Sequence, residues 1–369
     1  PFADSILYGL ISLRARTPAP IFEPAQLPSI RRVLLLLTTG LGDAVLSSPV
    51  FPALRRALPK AQIHLFCRAA WAPLFKADRT LDVVVSYHGK YRRFFPTVAA
   101  LRSFDPDLAV VLHGNDPDVI PLAYLAGSRY IVRVPTRGTR YEFLLANRER
   151  PQDASIVAGL HYVENRLRVL DTLGIPATTH TPRIVVAPEA TVDMAGRLSS
   201  RLQGAPYWVL HARAADLYKG WPDDKLRTLL IQARQRCPRY AVVLTGGSAE
   251  AESLQGLAAG IKGVYCVAGE FDIEGTAAVL ADAACVVAPD TGILHLAAAL
   301  DRPVVGLYAP TFSSLVGPRA GQSMPIVIQK PRTCDPCVEK SCPFTPRNCM
   351  DQIGTEEVLA ALRAQLGEA

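Results

Sequence analysis

Short apolar runs alternate with amphipathic segments along most of the chain, and this alternation constrains the fold more than any other feature of the sequence. The intervals between the runs are long enough for a helix, which is typical of βα units and not of hairpins. The predicted strands form two series, 33–37, 62–66, 82–86, 108–112 and 130–133, then 207–211, 241–245, 263–267, 285–288 and 304–308. Two such series predict an α/β chain with two doubly wound domains and parallel sheets.

Apolar residues near a 3.6-residue spacing predict helices over 43–57, 154–173, 223–234, 273–281, 292–300 and 355–366. Prolines between 176 and 188 separate the second of these helices from the next strand and mark a domain boundary. We predict an N-terminal extension over 1–30, domains over 31–182 and 183–330, and a cysteine-rich loop with a terminal helix over 331–369. Because parallel sheets bind ligands at the carboxyl ends of their strands, two domains facing a central cleft would take two substrates.

The composition indicates a globular protein. Of the 369 residues 49% are hydrophobic and 20% are charged, and no apolar run reaches the ~18 residues of a membrane span. The apolar stretch 6–13 is followed by its arginines, whereas a signal peptide has its basic residues first, so we expect a cytoplasmic protein.

The charge narrows the range of partners. A net charge of +7 favours a polyanionic partner, and the segment 86–150 carries ten basic against six acidic residues. That excess indicates either an anionic acceptor site or a solvated basic face. Nucleic acid is disfavoured, because aromatic residues are not clustered with the basic ones.

A glycine-rich turn with one acid, Gly40-Leu41-Gly42-Asp43, directly follows the first predicted strand and begins a helix. Gly40 and Gly42 allow the backbone to turn tightly and to approach a ligand, here predicted to be the donor. The turn lacks the third glycine of a dinucleotide fingerprint and the Lys-Ser/Thr pair of a P-loop. Asp43 is therefore either an ordinary helix-terminus acid or a general base that accepts the proton of an attacking hydroxyl.

A second turn, Asp290-Thr291-Gly292, lies between a buried strand and a helix rich in small residues. The first-turn amides after Thr291 and Gly292 and the positive end of the helix dipole suit a phosphate, so this turn predicts a pyrophosphate site. His295 lies one turn further on and either reaches the same anion or is a structural histidine.

Two other loops follow strands of the second series. Lys219 lies in the loop 211–223, where its ammonium group could neutralise a leaving phosphate. Glu250 or Glu252, after the Gly246-Gly247 turn, could accept hydrogen bonds from ribose hydroxyls, or either could be a first-turn helix acid.

Four of the eight cysteines cluster near the C-terminus with the spacing Cys334-x2-Cys337-x4-Cys342-x6-Cys349. Four thiolates can close a tetrahedral site for structural zinc or iron. Two disulfides or four free thiols are the alternatives, and disulfides are uncommon in the cytoplasm. Four protein ligands leave no open position, so no catalytic role is assigned. The other four cysteines are predicted to be core residues.

Together these segments resemble glycosyltransferase family 9, the ADP-heptose:lipopolysaccharide heptosyltransferases. The resemblance extends from about residue 31 to 366 and is carried by TTGLGDAVLSSPVFPALRRALP, KGWP, the TGG turn and APDTGILHLAAALDRPVVGLYAPT. It implies a GT-B fold of two Rossmann-like domains, with the acceptor in the first and the sugar nucleotide in the second. Asp43 matches the family's catalytic carboxylate, Lys219 its phosphate-binding lysine and Glu250 its ribose-binding acid. The donor-binding motif is matched by Asp290, Thr291, Gly292 and His295.

The expected reaction is an inverting transfer of heptose from ADP-heptose to a lipopolysaccharide inner-core hydroxyl, with no metal at the reaction centre. The anionic glycolipid acceptor would explain the basic first domain, and the segment 6–16 could rest on the inner leaflet. The alternatives are a protein or small-molecule acceptor, a different sugar, or a sugar-nucleotide-binding protein without transfer activity.

Overall fold

The computed structural model describes residues 2–15, 17–113, 116–134, 139–148, 159–335, 337–343 and 349–368. Two compact units make up the chain, Pro1–Thr181 and Pro182–Ala369. Each contains one sheet in which every strand pair is parallel. The α/β class with two parallel sheets is therefore confirmed.

The sheet of the first unit has the order β3-β2-β1-β4-β5. Its strands are β1 Arg32–Leu37, β2 Gln62–Arg68, β3 Val83–Tyr87, β4 Leu108–His113 and β5 Tyr130–Arg133. The helices of this unit are α1 Phe2–Arg14, α2 Leu41–Leu46, α3 Val50–Ala57, α4 Phe94–Phe104, α5 Val119–Leu125 and α6 Tyr162–Leu173. In the described part of this unit the 3₁₀ helices are Pro24–Ser29, Ala72–Phe75 and Glu142–Leu144.

The sheet of the second unit has the order β11-β10-β9-β6-β7-β8. Its strands are β6 Tyr207–His211, β7 Ala241–Thr245, β8 Val264–Cys266, β9 Val286–Pro289, β10 Val304–Tyr308 and β11 Ile326–Gln329. The helices are α7 Pro188–Leu202, α8 Asp223–Arg236, α9 Ala251–Ala258, α10 Ile273–Asp282, α11 Gly292–Ala299, α12 Ser313–Val316 and α13 Thr355–Leu366. The 3₁₀ helices are Leu217–Lys219, Ser248–Glu250, Glu339–Ser341 and Cys349–Gln352.

All ten predicted strands are confirmed, with ends that differ by at most two residues. Their near-continuous apolar sequences suit strands covered on both faces, as in β1, where five of the six residues are fully buried. The edge strand β11 was not predicted, and it differs from the central strands in having three partly buried residues and one exposed residue.

Two helix predictions were wrong in their extent. The segment 43–57 forms two helices, α2 and α3, because the Ser47 and Ser48 hydroxyls donate to backbone carbonyls and Pro49 has no N–H to continue the ladder. The segment 154–173 is helical only from Tyr162, since His161 is the N-cap and accepts from the Val163 N–H. Positions 154–158 lie outside the described residues.

The N-terminal segment packs into the first unit, where Ile11, Phe22 and Ile30 are each at most 2% exposed. At the other end, α13 packs against α8 and β10 in the second unit, with Val358 and Leu362 fully buried. Within the described ranges, no helix has both the length and the apolar character needed to cross a membrane.

Candidate active site

Each sheet has one point at which the order of its strands reverses. In the first unit this point lies between β1 and β4, and in the second unit between β6 and β9. The connections that leave two such strands run in opposite directions, so a crevice opens at their carboxyl ends. The predicted site residues Asp43, Lys219 and Asp290 follow β1, β6 and β9, so each lies at one of these two positions.

In the first unit Asp43 lies in the first turn of α2, and both of its carboxylate oxygens have partners. Arg166 Nη2 of α6 is 3.2 Å from Oδ1, and the Thr39 hydroxyl donates to Oδ2 at 3.1 Å. His113 Nε2, at the end of β4, is 3.9 Å from Oδ2. We call Asp43, Thr39, His113 and Arg166 the Asp43 cluster. Gly40 is the N-cap of α2, so Asp43 is not the capping residue.

The loop that carries the Asp43 cluster is fixed by long side chains from β2 and the turn after it. Arg68 Nε donates to the Thr38 carbonyl and Trp71 Nε1 to the Thr39 carbonyl, both at 3.0 Å. A Cβ added at Gly40 would meet no atom within 4 Å, so the backbone is open there. The loop is thus held from one side and accessible from the other.

Burial differs sharply within the Asp43 cluster. The Arg166 side chain is 6% exposed, whereas that of Asp43 is 28% exposed. Burial lowers the pKa of Arg166, and Asp43 opposes that effect. Burial and the positive charge of Arg166 lower the pKa of His113, so its imidazole is neutral at pH 7. The cluster is therefore a buried cation and a neutral ring that position one accessible carboxylate.

In the second unit the Asp290 carboxylate gathers three side chains. Lys219 Nζ donates to Oδ2 at 2.8 Å, the Thr311 hydroxyl donates to the same oxygen at 2.9 Å, and His295 Nε2 is 3.6 Å from Oδ1. We call Asp290, Lys219, Thr311 and His295 the Asp290 cluster. Burial works to raise the pKa of Asp290, but the hydrogen bond from His295 and the charge of Lys219 outweigh it. The pKa lies well below its usual range and the group is ionised.

Thr291 and His295 contribute differently to α11. Thr291 is the N-cap, and its hydroxyl accepts from the Leu294 N–H at 3.4 Å. His295 is 5% exposed, and its Nε2 faces Asp290. The first-turn amides of α11 lie at the carboxyl end of β9, at the switch point of this sheet.

Glu250 lies in the first turn of the helical segment after β7, a position that the sequence analysis considered for it. It ends the 3₁₀ helix after β7, and its Oε2 accepts from the Gly247 N–H at 2.8 Å. Glu252 lies in α9 and is exposed. The structure therefore places Glu250, and not Glu252, against the glycine turn beside β6.

Four members of the two clusters were missed from the sequence: Thr39, His113, Arg166 and Thr311. A usable signal existed for His113, which ends a strand at the switch point. No sequence signal pairs Arg166 with Asp43, because 123 positions separate them.

The late cysteines lie in the second unit. Cys334, Cys337 and Cys342 are partly exposed and Cys349 is buried, and none forms a disulfide. Burial is the main reason that the pKa of Cys349 is raised, and Cys337 and Cys342 add to the effect. Among the described residues no group of three or more His, Cys, Asp or Glu side chains is arranged to hold a metal ion. Of the other cysteines, Cys266 alone is only partly buried.

Comparison with known proteins decides the family. The model of the family described as glycosyltransferase family 9 (heptosyltransferase) matches residues 127–347. Lipopolysaccharide heptosyltransferase 1 of Pseudomonas aeruginosa is 30% identical over 340 residues, which cover 85% of this chain and 88% of that protein. This chain belongs to glycosyltransferase family 9. Lipopolysaccharide heptosyltransferase 1 of Escherichia coli K12 is 38% identical over 299 residues, covering 78% of this chain and 90% of the relative.

Solved structures agree on the fold of this family 9 glycosyltransferase. The E. coli ADP-heptose lipopolysaccharide heptosyltransferase II superposes with a TM-score of 0.72 at 22% identity, covering 91% of this chain and 99% of that one. The GT-B fold with two Rossmann-like domains, implied by the sequence resemblance, is confirmed.

The Asp290 cluster generates a prediction about stability and its pH dependence. Asp290→Asn should lower the free energy of unfolding by about 3 kcal/mol at pH 7, because Lys219 would lose its buried carboxylate partner. The pKa of Asp290 in the folded protein is below its unfolded value of about 4. The contribution of Asp290 to the free energy of unfolding is therefore complete above the unfolded pKa. It is lost as the pH falls from there through the lower folded pKa.

Urea unfolding of the wild type and of Asp290→Asn, at several values between pH 7 and pH 3, measures this difference. The matched control is Asp193→Asn, an exposed acid paired with Arg197 within α7, which should change the free energy by less than about 0.5 kcal/mol. A wild-type-to-variant difference that stays constant down to pH 3 would contradict the assignment.

Proposed function

We propose that this chain transfers a heptose from ADP-heptose to a hydroxyl of a lipopolysaccharide inner-core acceptor, with inversion at the anomeric carbon. The main support for this proposal is that the Asp43 carboxylate is accessible while its partner Arg166 is buried. A carboxylate held at both oxygens, in a crevice where parallel sheets bind ligands, can orient a hydroxyl and accept its proton. The relatives named above are lipopolysaccharide heptosyltransferases, which supports this donor and this acceptor.

The reaction is a single displacement. The acceptor hydroxyl gives its proton to Asp43 as its oxygen forms a bond to the anomeric carbon of the heptose. The bond between that carbon and the ADP oxygen breaks at the same time, and the electron pair leaves with ADP. One displacement from the face opposite the leaving group inverts the configuration of the carbon.

Negative charge grows on the departing diphosphate, and the second unit supplies positive charge for it. An ammonium group has three N–H donors, and Asp290 uses one of them, which leaves Lys219 oriented with donors for phosphate. The first-turn amides of α11 add the positive end of a helix dipole. Each such group is worth about 3 kcal/mol to the transition state. With this charge in place, the proposal requires no divalent metal at the reaction centre.

Glu250 is proposed to bind the ribose of the donor. Its Oε2 accepts from the Gly247 N–H in the turn that follows β7, at the carboxyl end of that strand. The basic residues of the first domain are proposed to bind the phosphates and carboxylates of the acceptor, and peripheral contact with a membrane would bring the enzyme to a lipid-linked acceptor.

Variants of the two clusters separate donor binding from transfer. Asp43→Asn should keep the added protection that ADP-heptose gives against heat unfolding, because the proposed donor contacts of the second unit are unchanged. It should lose transfer activity by about 10²-fold or more, because the proton acceptor is removed. Lys219→Met should weaken the protection itself. A donor at about 100 times its dissociation constant adds about 2.7 kcal/mol of stability to a protein that binds it.

A panel of ADP-, UDP- and GDP-sugars, read by thermal unfolding and by product formation, makes the comparison, with Glu252→Gln as the exposed acidic control. The absence of protection by any adenine-linked sugar would exclude the heptosyl donor. Protection without transfer to any acceptor in the wild type would favour a sugar-nucleotide-binding protein. Full transfer by Asp43→Asn would remove Asp43 as the base.

We also propose that the four late cysteines hold a structural zinc or iron ion. Their spacing in the sequence supports this proposal, since four thiolates can close a tetrahedral site. Elemental analysis of the purified protein should find about one zinc or iron per chain. Cys337→Ser should lower that content and Cys266→Ser should not. Wild-type protein without bound metal would leave these cysteines as free thiols.

A further inference from the structure

Helix α1 is apolar on both of its faces. On the inner side Leu7, Tyr8 and Ile11 join the hydrophobic core of the first unit. On the outer side Ile6, Leu10 and Leu13 are 48%, 63% and 76% exposed. An ordinary surface helix carries charged or polar residues on its outer face. The outer face of α1 therefore has an apolar character that packing within the unit does not use.

These three exposed side chains form one continuous row. They are spaced i, i+4 and i+7, which places them on the same side of two successive turns. Val192 on α7 is also highly exposed, but no other large apolar side chain of that helix is exposed. Single exposed apolar residues are common on soluble proteins, whereas a contiguous patch indicates a binding surface.

Cationic side chains belong to α1 or contact it. Arg14 lies in the last turn of α1, and the Arg140 guanidinium is 4.5 Å from the ring of Tyr8 on the same helix. At the other end, Lys90 Nζ is 3.6 Å from the Asp4 carboxylate, and the Tyr91 hydroxyl also donates to Asp4.

The loop between β3 and α4, which contains Lys90 and Tyr91, carries two further cations. Arg92 and Arg93 follow Tyr91 directly and precede α4, whose first residue, Phe94, contributes to the core that α1 covers. This loop forms part of the basic excess recognised in the segment 86–150. Two of that segment's arginines, Arg137 and Arg150, lie outside the described residues.

We propose that the outer face of α1 docks on the surface of a bilayer that contains anionic phospholipids. Ile6, Leu10 and Leu13 would enter the boundary between headgroups and acyl chains, while Arg14, Arg140 and the loop after β3 would contact the phosphates. A stable dimer buries roughly 800 Å² of surface on each partner, and three side chains offer far less area than that. This disfavours a second copy of the chain as the occupant.

This docking surface consists of α1 and its surroundings and does not depend on the proposed reaction. If the acceptor is lipid-linked, as proposed above, docking would hold the first unit at the surface where that acceptor is presented. A failure of docking would leave the transfer activity and the donor assignment untouched, so the two proposals can be tested separately.

Co-sedimentation with vesicles tests the surface directly. The full chain should pellet with vesicles of phosphatidylglycerol and phosphatidylcholine, more weakly with phosphatidylcholine alone, and less as salt is raised. The double change Leu10→Glu with Leu13→Glu should reduce partitioning onto the anionic vesicles by about tenfold or more. The control Val192→Glu places the same charge at another exposed apolar position, 73% exposed, and should bind like the wild type.

Both altered side chains are exposed, so thermal unfolding should show an intact fold; if the double variant is destabilised, Leu13→Glu alone carries the comparison. Equal binding of wild type and variant to anionic vesicles would overturn the proposal, and so would equal binding of the wild type to both lipid compositions. A concentration-dependent dimer that the same changes abolish, without vesicle binding, would assign the face to a second copy of the chain.

Discussion

The site of this protein depends on a property of open parallel sheets: each has a single point where the order of its strands reverses. A crevice opens there because the connections on the two sides lead away from each other. Strands β1 and β4 form this point in the first unit, and β6 and β9 form it in the second. The turns that follow these strands carry Asp43, Lys219 and Asp290, so topology alone brings these charged groups to ligand-binding positions.

The Asp43 cluster and the Asp290 cluster contain the same kinds of side chain but differ in which of them is buried. Each contains a carboxylate, a cation, a threonine hydroxyl and a histidine, but the burial is reversed. In the first unit the cation is buried and the Asp43 carboxylate is accessible, at 6% and 28% exposure. In the second unit the Asp290 carboxylate is the more buried member, at 8%, and Lys219 the more accessible, at 19%. The first arrangement suits a group that accepts a proton, and the second suits a group that binds phosphate.

Much of this architecture could be predicted from the sequence, because a strand buried on both faces must be apolar along its length. The same reasoning missed β11, which is half buried, and it joined α2 to α3 because periodicity does not reveal that serine hydroxyls and Pro49 interrupt the backbone ladder. Asp43 and Lys219 were identifiable from the turns that hold them. Arg166 was not, since its role comes from a contact across 123 positions that only the folded chain creates.

The proposed reaction is one direct displacement in which Asp43 of the first unit accepts the proton of the acceptor hydroxyl. The most direct measurement is the anomeric configuration of the product, read from the one-bond carbon–proton coupling of the transferred heptose, with a donor of known configuration. Because a single displacement inverts the carbon, we expect a product with the opposite configuration to the donor. A product with the donor's own configuration would require a second displacement or an ionised intermediate, and would exclude the single displacement.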